Sequence, residues 1–269
     1  ITSTCGTTTV TLNPDPLYPT TEVSQLCPSA TSTCNGGTNP GVQVYTYTAI
    51  VTLLPNCIYT ISYGECCRNT SNNLASSQSF DLYVETTINT NGGLCNNGPR
   101  FTTYPVPYYC IGSQYSYSHG TYDIDGDSLV YSLVAPLQSS GTVIAYQAPY
   151  SPTNPMPTAS GFLFDPQTGQ MTFTPTTAGN YVVTVKVDEY RNGTLLSTSM
   201  RDAVVDICVG CKTTMSTTFQ YYNTNTWPVI GGYYTFQAYP WTAFNYTFVG
   251  GLSTPNSSTL DMKVVGDAS

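Results

Sequence analysis

Residues 177–193 read TAGNYVVTVKVDEYRNG, and residues 194–209 continue as TLLSTSMRDAVVDICV. Valine, threonine and tyrosine dominate the first stretch, and these residue types favour strands over helices. The stretch ends in Asn192-Gly193, a dipeptide that suits the tight turn of a β-hairpin. The two stretches therefore predict a long strand, a turn and a returning strand.

A shorter hairpin is indicated upstream by GFLFDPQTGQMTFTP (161–175), in which apolar residues alternate on both sides of the turn PQTG. Before it, SLVYSLVAP (128–136) also has the composition of a strand. Short strands that follow one another every ~8–12 residues are typical of a β-sandwich. We therefore predict such a sandwich for residues 99–209.

The composition of the whole chain agrees with an all-β class and excludes some functions. Of the 269 residues, 40% are hydrophobic and only 8% are charged, while 23 tyrosines and 9 phenylalanines can build cores. The net charge of −8 rules out the basic surface that nucleic-acid binding requires. No apolar run approaches the ~20 residues of a membrane span.

The length suggests more than one domain, because a single sandwich has ~100 residues. Strands are also predicted at QVYTYTAIVTLL (43–54), CIYTISYGECC (57–67) and SFDLYVETTI (79–88). We expect a disulfide-rich sandwich over residues 1–98, a second sandwich over residues 99–209, and an aromatic-rich β segment over residues 210–269. This last segment is either a partial third domain or a strand given to a neighbouring subunit.

Ten cysteines, without the paired knuckles of a zinc site, indicate disulfides and an oxidising compartment. Cys27 and Cys34 flank a short loop, and the interval between Cys57 and Cys67 would also close well. Cys66 and Cys67 would face opposite sides of a strand and bond different partners. A bond between Cys110 and Cys208 would join the ends of the second sandwich. These spacings leave the connectivity open.

The stretch TYDIDGDSLVYSL (121–133) is the main candidate site, with Asp123, Asp125 and Asp127 at alternate positions. It is not an EF-hand, because the glycine position, the twelfth residue and the strand-forming flank all differ. Calcium remains one interpretation, since Ca²⁺ accepts irregular loops of oxygen ligands, with Asp188 and Glu189 as further ligands. The other interpretation is a solvated turn in which aspartates accept backbone N–H groups and Gly126 has a positive φ.

Other chemistry has weaker support. The single histidine, His119, has no G-x-S-x-G nucleophile motif beside it, and no pair of acids is singled out for glycoside hydrolysis. We therefore do not predict an enzyme. Trp227, Trp241 and Tyr239 could stack against sugars in a carbohydrate-binding module, or pack in a core or an interface.

Five stretches carry a resemblance to a known family: CPSATSTCNGGTNPGVQVY (27–45), LLPNCIYTISYGECCRN (53–69), YDIDGDSLVYSL (122–133), FDPQTGQMTFTPTTAGNYVVTVKVDEYRNG (164–193) and RDAVVDIC (201–208). Over about residues 20–210 the chain resembles secreted surface proteins of Bacteroidetes that are associated with gliding motility and type IX secretion. The second unit is similar to cadherin-like and immunoglobulin-like modules.

This resemblance implies tandem immunoglobulin-like and cadherin-like sandwiches stapled by disulfides. It also implies a secreted adhesin or filament subunit at the cell surface, with copies of itself or surface polysaccharide as partners. In cadherin-like relatives, the positions of Asp123, Asp125 and Asp127 are those that hold calcium. The fold, location, partners and calcium ligands that the resemblance implies are expectations for this chain.

Overall fold

The computed structural model describes residues 1–24, 31–38, 41–93, 95–103 and 108–209, together with the backbone pairing of residues 229–230 with 233–234. The chain divides into two compact units. The first unit consists of residues 1–20 and 45–211, and the second consists of residues 21–44 and 212–269.

Strands make up most of the regular structure of the described residues. In chain order they are β1 (Thr2–Ser3), β2 (Gly6–Thr7), β3 (Asn13–Pro14), β4 (Thr21–Glu22), β5 (Gln43–Val44), β6 (Tyr47–Thr48), β7 (Ile58–Glu65), β8 (Leu82–Asn89), β9 (Arg100–Phe101), β10 (Tyr108–Cys110), β11 (Tyr115–Tyr117), β12 (Thr121–Tyr122), β13 (Ser128–Val134), β14 (Leu137–Ser139), β15 (Thr142–Val143), β16 (Leu163–Phe164), β17 (Met171–Phe173), β18 (Gly179–Arg191), β19 (Thr194–Cys208), β20 (Val229–Ile230) and β21 (Tyr233–Tyr234).

The described residues contain no α-helix, only single 3-10 turns at Thr33–Asn35, Ser77–Ser79 and Asn91–Gly93. Across that same part of the chain, no helix is long and apolar enough to cross a membrane. The predicted all-β class is confirmed at this level.

One large sheet dominates the first unit. Its main order is β13-β18-β19-β8-β7-β1-β2. In addition, β10 pairs with β19, β14 pairs with β8, and β15 pairs with β14. The predicted long hairpin is its centre, because β18 and β19 pair antiparallel from Gly179↔Ile207 to Arg191↔Thr194. The turn residues Asn192 and Gly193 both have positive φ, at 51° and 77°, as a tight hairpin turn requires.

The large sheet runs across the boundary expected after residue 98. β8 pairs with β7 along its length and with β19 at residues 197–199, so strands of both expected domains share one set of hydrogen bonds. The described parts of residues 45–103 and 108–209 therefore fold as one unit.

A second layer packs on the large sheet. β11, β17 and β16 form a three-stranded sheet, in which β16 and β17 are the predicted hairpin of residues 161–175. Its buried Tyr117 and Phe173 pack against Tyr181, Val183 and Val205 of β18 and β19. This apolar contact between the two sheets buries the half of the long hairpin that lies away from its turn.

The strand predicted over residues 43–54 is mostly wrong. Only β5 and β6 form there, each two residues long, and residues 49–54 belong to no strand although their composition favours one. β-Propensity depends on a neighbouring strand, and in the described chain residues 49–54 have none.

In the second unit, the described residues lie within residues 21–44, apart from the pairing of β20 with β21. β4 pairs with β5, and Ser32 caps the 3-10 turn of Thr33–Asn35 by accepting from the Cys34 amide. The predicted disulfide partner of Cys34 is Cys27, which lies outside the described residues, and the Cys34 thiol is free.

Cys57 forms a disulfide, but its partner is Cys5, with the two Cα atoms 5.9 Å apart. Antiparallel pairing of β1 with β7 brings the N-terminus beside the start of β7. The predicted bond between Cys57 and Cys67 is therefore wrong.

Cys67 is instead bonded to its neighbour Cys66. The two residues follow the end of β7 at Glu65, so the alternation of side chains in a strand, on which the prediction of different partners rested, does not apply to them.

The predicted staple between Cys110 and Cys208 is also wrong. The two residues are in register on the parallel strands β10 and β19. Cys110 is disulfide-bonded, whereas the Cys208 thiol is free, so the bond of Cys110 goes elsewhere. Strand pairing places the backbones of Cys110 and Cys208 side by side, but their sulfur atoms are not bonded to each other.

Candidate metal centre

The aspartate loop folds as a tight turn between β12 and β13. Asp123 is 8% exposed, and its Oδ1 accepts the backbone N–H groups of Asp125 and Asp127, both at 3.0 Å. Gly126 between them has a φ of 78°, in the left-handed region that glycine enters at little cost. The turn interpretation is thus confirmed in its geometry, but it uses only one of the two oxygens of Asp123.

Glu189 reaches the same place from β18. It lies opposite Leu129 of β13, and the pairing of β18 with β19 shifts register between Glu189 and Tyr190. The side chain is fully buried. Asn96 donates to both of its carboxylate oxygens, at 2.9 Å and 2.8 Å, and the Ser197 hydroxyl donates to Oε2.

Three of the predicted acids meet in one cluster, which we call the acidic cluster: Asp123, Asp127 and Glu189. Each offers an oxygen, and these oxygens all lie within 4.8 Å of one another. Asp123 Oδ2 is buried and has no hydrogen-bond partner. A buried carboxylate oxygen that faces other carboxylates is costly unless a proton or a cation lies between them.

Asp125 is turned away from the acidic cluster. It accepts from the backbone and the side chain of Asn97, at 2.8 Å and 3.0 Å, and from Arg191 at 3.2 Å. Arg191 also donates to both oxygens of Asp127, at 2.8 Å and 2.6 Å. The guanidinium therefore neutralises one outer side of the cluster but does not reach Asp123 in these contacts.

The pKa shifts of the site differ in direction between Asp125 and Asp127 on one hand and Glu189 on the other. The Asn97 and Arg191 contacts lower the pKa of Asp125, and the Arg191 hydrogen bond lowers the pKa of Asp127. Burial, followed by the neighbouring charge of Asp123, raises the pKa of Glu189 above its ordinary value. Burial therefore disfavours the charged form of Glu189 in spite of its hydrogen bonds from Asn96 and Ser197.

Asp188, the fifth predicted ligand, is not in the cluster. Successive side chains of a strand point to opposite faces, so Asp188 and Glu189 cannot both reach the loop. Asp188 instead forms an ion pair with Lys186, at 2.9 Å. Asp202 also lies outside the cluster, and Arg68 donates to both of its oxygens at 3.0 Å and 2.7 Å.

Three residues of the site were not predicted from the sequence: Asn96, Ser197 and Arg191. Arg191 could have been found, since it is two residues after Glu189 and shares its face of β18. Asn96 gave no signal, because it lies in an irregular segment that reaches the site only through the fold.

His119 occupies a different environment, in the seam between the two sheets. It is 3% exposed, its ring is edge-on to Tyr117 and Phe101, and neither ring nitrogen has a hydrogen-bond partner. Burial and the nearby charge of Arg201 lower its pKa to about 4. A cavity of about 20 Å³ beside it has room for one water. In the described chain, His119 is not bonded to any nucleophile that it could activate.

The aromatic residues proposed for sugar stacking, Trp227, Trp241 and Tyr239, lie outside the described residues. No protein-family model matches this chain, and no curated protein is similar to it.

Proposed function

We propose that this chain is a non-catalytic structural or adhesive protein of an extracellular surface, of the filament or adhesin kind that the sequence resemblance implies, and that a bound Ca²⁺ ion braces its main unit. The observation that carries the proposal is the buried, unpartnered Oδ2 of Asp123, a residue whose carboxylate clusters with those of Asp127 and Glu189.

The donor set fits calcium. Ca²⁺ prefers carboxylate oxygens and tolerates irregular geometry, whereas zinc and copper sites use histidine or cysteine. Asp123, Asp127 and Glu189 would hold the ion, and solvent would complete its shell. The cation would supply the positive charge that the buried oxygens lack.

The position of the cluster suits a brace. It joins the loop after β12 to the end of β18, and Arg191 and Asn96 tie these to residues 95–97. These segments are about 30 to 95 residues apart in sequence, as the contacts from Asn97 to Asp125 and from Asn96 to Glu189 show. An ion here would resist separation of the aspartate loop from the end of β18.

The surface supports a role in contact rather than in chemistry. Several tyrosines of the first unit are more than half exposed, namely Tyr18, Tyr45, Tyr47, Tyr63 and Tyr122. Tyrosine gives large contact area with a polar tip at small entropic cost. The low charge of the chain leaves few like-charge repulsions to keep neighbouring copies apart.

The experiment uses beads coated with the full chain, in calcium or in chelator. We expect clustering of the beads with one another, or retention on a polysaccharide-coated surface, and we expect both to weaken in chelator. The Asp127→Asn variant should behave as in chelator, while Asp188→Asn, with the same change of charge outside the cluster, should behave as wild type. Beads that stay dispersed and unattached in calcium would contradict the proposal.

A further inference from the structure

We propose that a single halide ion binds in the small cavity that His119 and Arg201 line, in the seam between the two sheets, and pairs with the Arg201 guanidinium. Chloride is the halide that such a site would take, and bromide serves as its probe. This inference goes beyond the proposed function and does not depend on it.

The size of the cavity limits what can occupy it. Its volume is about 20 Å³, which is enough for one water or one monatomic ion but too small for sulfate or an organic acid. Its apolar walls come from both sheets, namely from Met171 of β17, Val183 of β18, and Ala203 and Val205 of β19. No carboxylate is among the described residues that line it.

His119 brings an unsatisfied polar group to this cavity. The residue is 3% exposed, and neither Nδ1 nor Nε2 has a hydrogen-bond partner. Its ring lies edge-on to Phe101 and Tyr117, with centroid distances of 6.0 Å and 5.0 Å. These ring contacts hold the imidazole in place but satisfy neither nitrogen. A buried polar group that no protein atom satisfies is generally matched by a water or an ion.

Arg201 brings a positive charge without a counter-charge. Its Nη1 donates to the Thr103 carbonyl at 2.8 Å and to the Tyr117 hydroxyl at 3.2 Å. The guanidinium carbon lies 4.2 Å from the centroid of the Phe101 ring. All three partners are uncharged, and within the described chain no carboxylate forms an ion pair with Arg201. Burial lowers the pKa of Arg201, as expected for a cation that is removed from water without an anion beside it.

The other titratable groups of the cavity are neutral. Tyr109 and Tyr117 also line it, and burial raises the pKa of both phenols. Burial and the Arg201 charge lower the pKa of His119 to about 4. At neutral pH, Arg201 is therefore the only charged side chain among the described lining residues. An uncompensated positive charge beside an apolar cavity attracts an anion more strongly than it attracts a neutral water.

A halide fits the donors that face the cavity. Within the described chain the hydrogen bonds of Arg201 use Nη1 alone, so the N–H groups of its other nitrogens remain for an anion. The imidazole of His119 supplies a further N–H donor. A water would satisfy His119 but would leave the charge of Arg201 uncompensated. The ion would join the segment between β11 and β12, which carries His119, to β19, which carries Arg201.

The experiment uses the fact that His119 is the only histidine of the chain, so its ring protons give an unambiguous NMR signal. Sodium bromide replaces sodium gluconate in steps at constant ionic strength, so general screening does not change. Gluconate is too large for the cavity. Wild type is compared with Arg201→Gln, which removes the charge from the cavity. The matched control is Lys186→Gln, which removes a partly exposed cation from β18.

We expect a saturable shift of the His119 signal in wild type and in Lys186→Gln, with binding at least about tenfold weaker in Arg201→Gln. The same signal, followed against pH, should show a higher pKa of His119 in bromide than in gluconate, because an anion favours the imidazolium form. In urea unfolding, bromide should stabilise wild type more than Arg201→Gln, since the ion binds the folded state.

A wild-type His119 signal that does not respond to bromide overturns the inference and leaves water as the occupant. A saturable shift of equal strength in Arg201→Gln also overturns it, because Arg201 would then not hold the ion. Should Arg201→Gln fail to fold, the wild-type measurements decide alone, and either a missing shift or an unchanged pKa of His119 overturns the inference. The bead experiment, run with calcium gluconate, tests the proposed function separately from any halide.

Discussion

Asn96 binds the buried Glu189 through both carboxylate oxygens, at 2.9 Å and 2.8 Å, while its own side-chain oxygen accepts from Arg191 at 2.9 Å. One asparagine thus connects the buried Glu189 to the Arg191 guanidinium, which binds Asp125 and Asp127. Asn96 thus fixes the position of the Glu189 carboxylate, whereas Asp123 Oδ2 has no hydrogen-bond donor.

Asn96→Ala should destabilise the fold by ~1–3 kcal/mol in chelator, because the buried Glu189 carboxylate loses both hydrogen bonds from Asn96 and keeps only the one from Ser197. Asn97→Ala is the matched control, since Asn97 serves the more exposed Asp125 and keeps its backbone contact; its cost should stay below ~1 kcal/mol. Urea unfolding measures both. Equal costs for the two variants would show that Asn96 does not support a buried charge.

The raised pKa of Glu189 gives a pH dependence with a definite sign. The folded protein keeps this proton at a higher pH than the unfolded chain does. Stability in chelator therefore falls as the pH rises above the ordinary glutamate value of ~4.3. Glu189→Gln lacks this titration, so the stability of wild type minus that of the variant should decline as the pH rises above that value. Denaturant unfolding at several pH values checks this, and parallel curves would argue against it.

Calcium should remove that decline, because the ion favours the charged form of Glu189. The titration of His119, whose pKa is lowered, acts in the opposite direction. It is common to wild type and Glu189→Gln, so it cancels in the difference. The comparison between the two proteins is therefore the informative quantity.

The ion pair of Arg68 and Asp202 is a structural brace, and the two side chains are only 2% and 1% exposed. Arg68 also donates to the carbonyls of Asp81 and Leu137. Asp202→Asn should cost ~3–5 kcal/mol, since it leaves a buried guanidinium without its counter-charge. Asp188→Asn, which removes a partly exposed pair, should cost less than ~1 kcal/mol. Thermal or urea unfolding distinguishes them, and a cost below ~1 kcal/mol for Asp202→Asn would refute the brace.

The Cys5–Cys57 disulfide closes a loop over a sequence separation of 52. In the chain-entropy account such a loop contributes ~4 kcal/mol. The double variant Cys5→Ala, Cys57→Ala should lose about that much stability in denaturant unfolding. Cys34→Ala, which removes a free thiol, is the control and should change little. A double variant as stable as wild type would mean that β1 is held by its strand pairing alone.

The hairpins could be predicted because their information is local. Asn192-Gly193 and the turn at PQTG each fix a reversal, and the alternating residues beside them fix two strands. The Cys5 partner of Cys57 could not be predicted, because it depends on β1 crossing to β7, a pairing of two-residue length. The segment at residues 49–54 shows the converse, a strong local preference that finds no partner within the fold.

The acidic site could be predicted in part for the same reason. The spacing of Asp123 and Asp127 marked the loop, and the end of the long strand brought in Glu189. Strand alternation alone would have excluded Asp188 in favour of Arg191. Asn96 depends on how an irregular segment packs against the end of β18, and no local pattern encodes that.

Calcium binding by the acidic cluster can be measured by isothermal titration of Ca²⁺ into the full chain. Wild type, Glu189→Gln and Asp188→Asn are compared. We expect one calcium site in wild type and in Asp188→Asn. Binding to Glu189→Gln should be at least about tenfold weaker, a difference of about 1.4 kcal/mol in binding free energy. No heat of binding in wild type, or equal binding in Glu189→Gln, would contradict the assignment of the acidic cluster as a calcium brace.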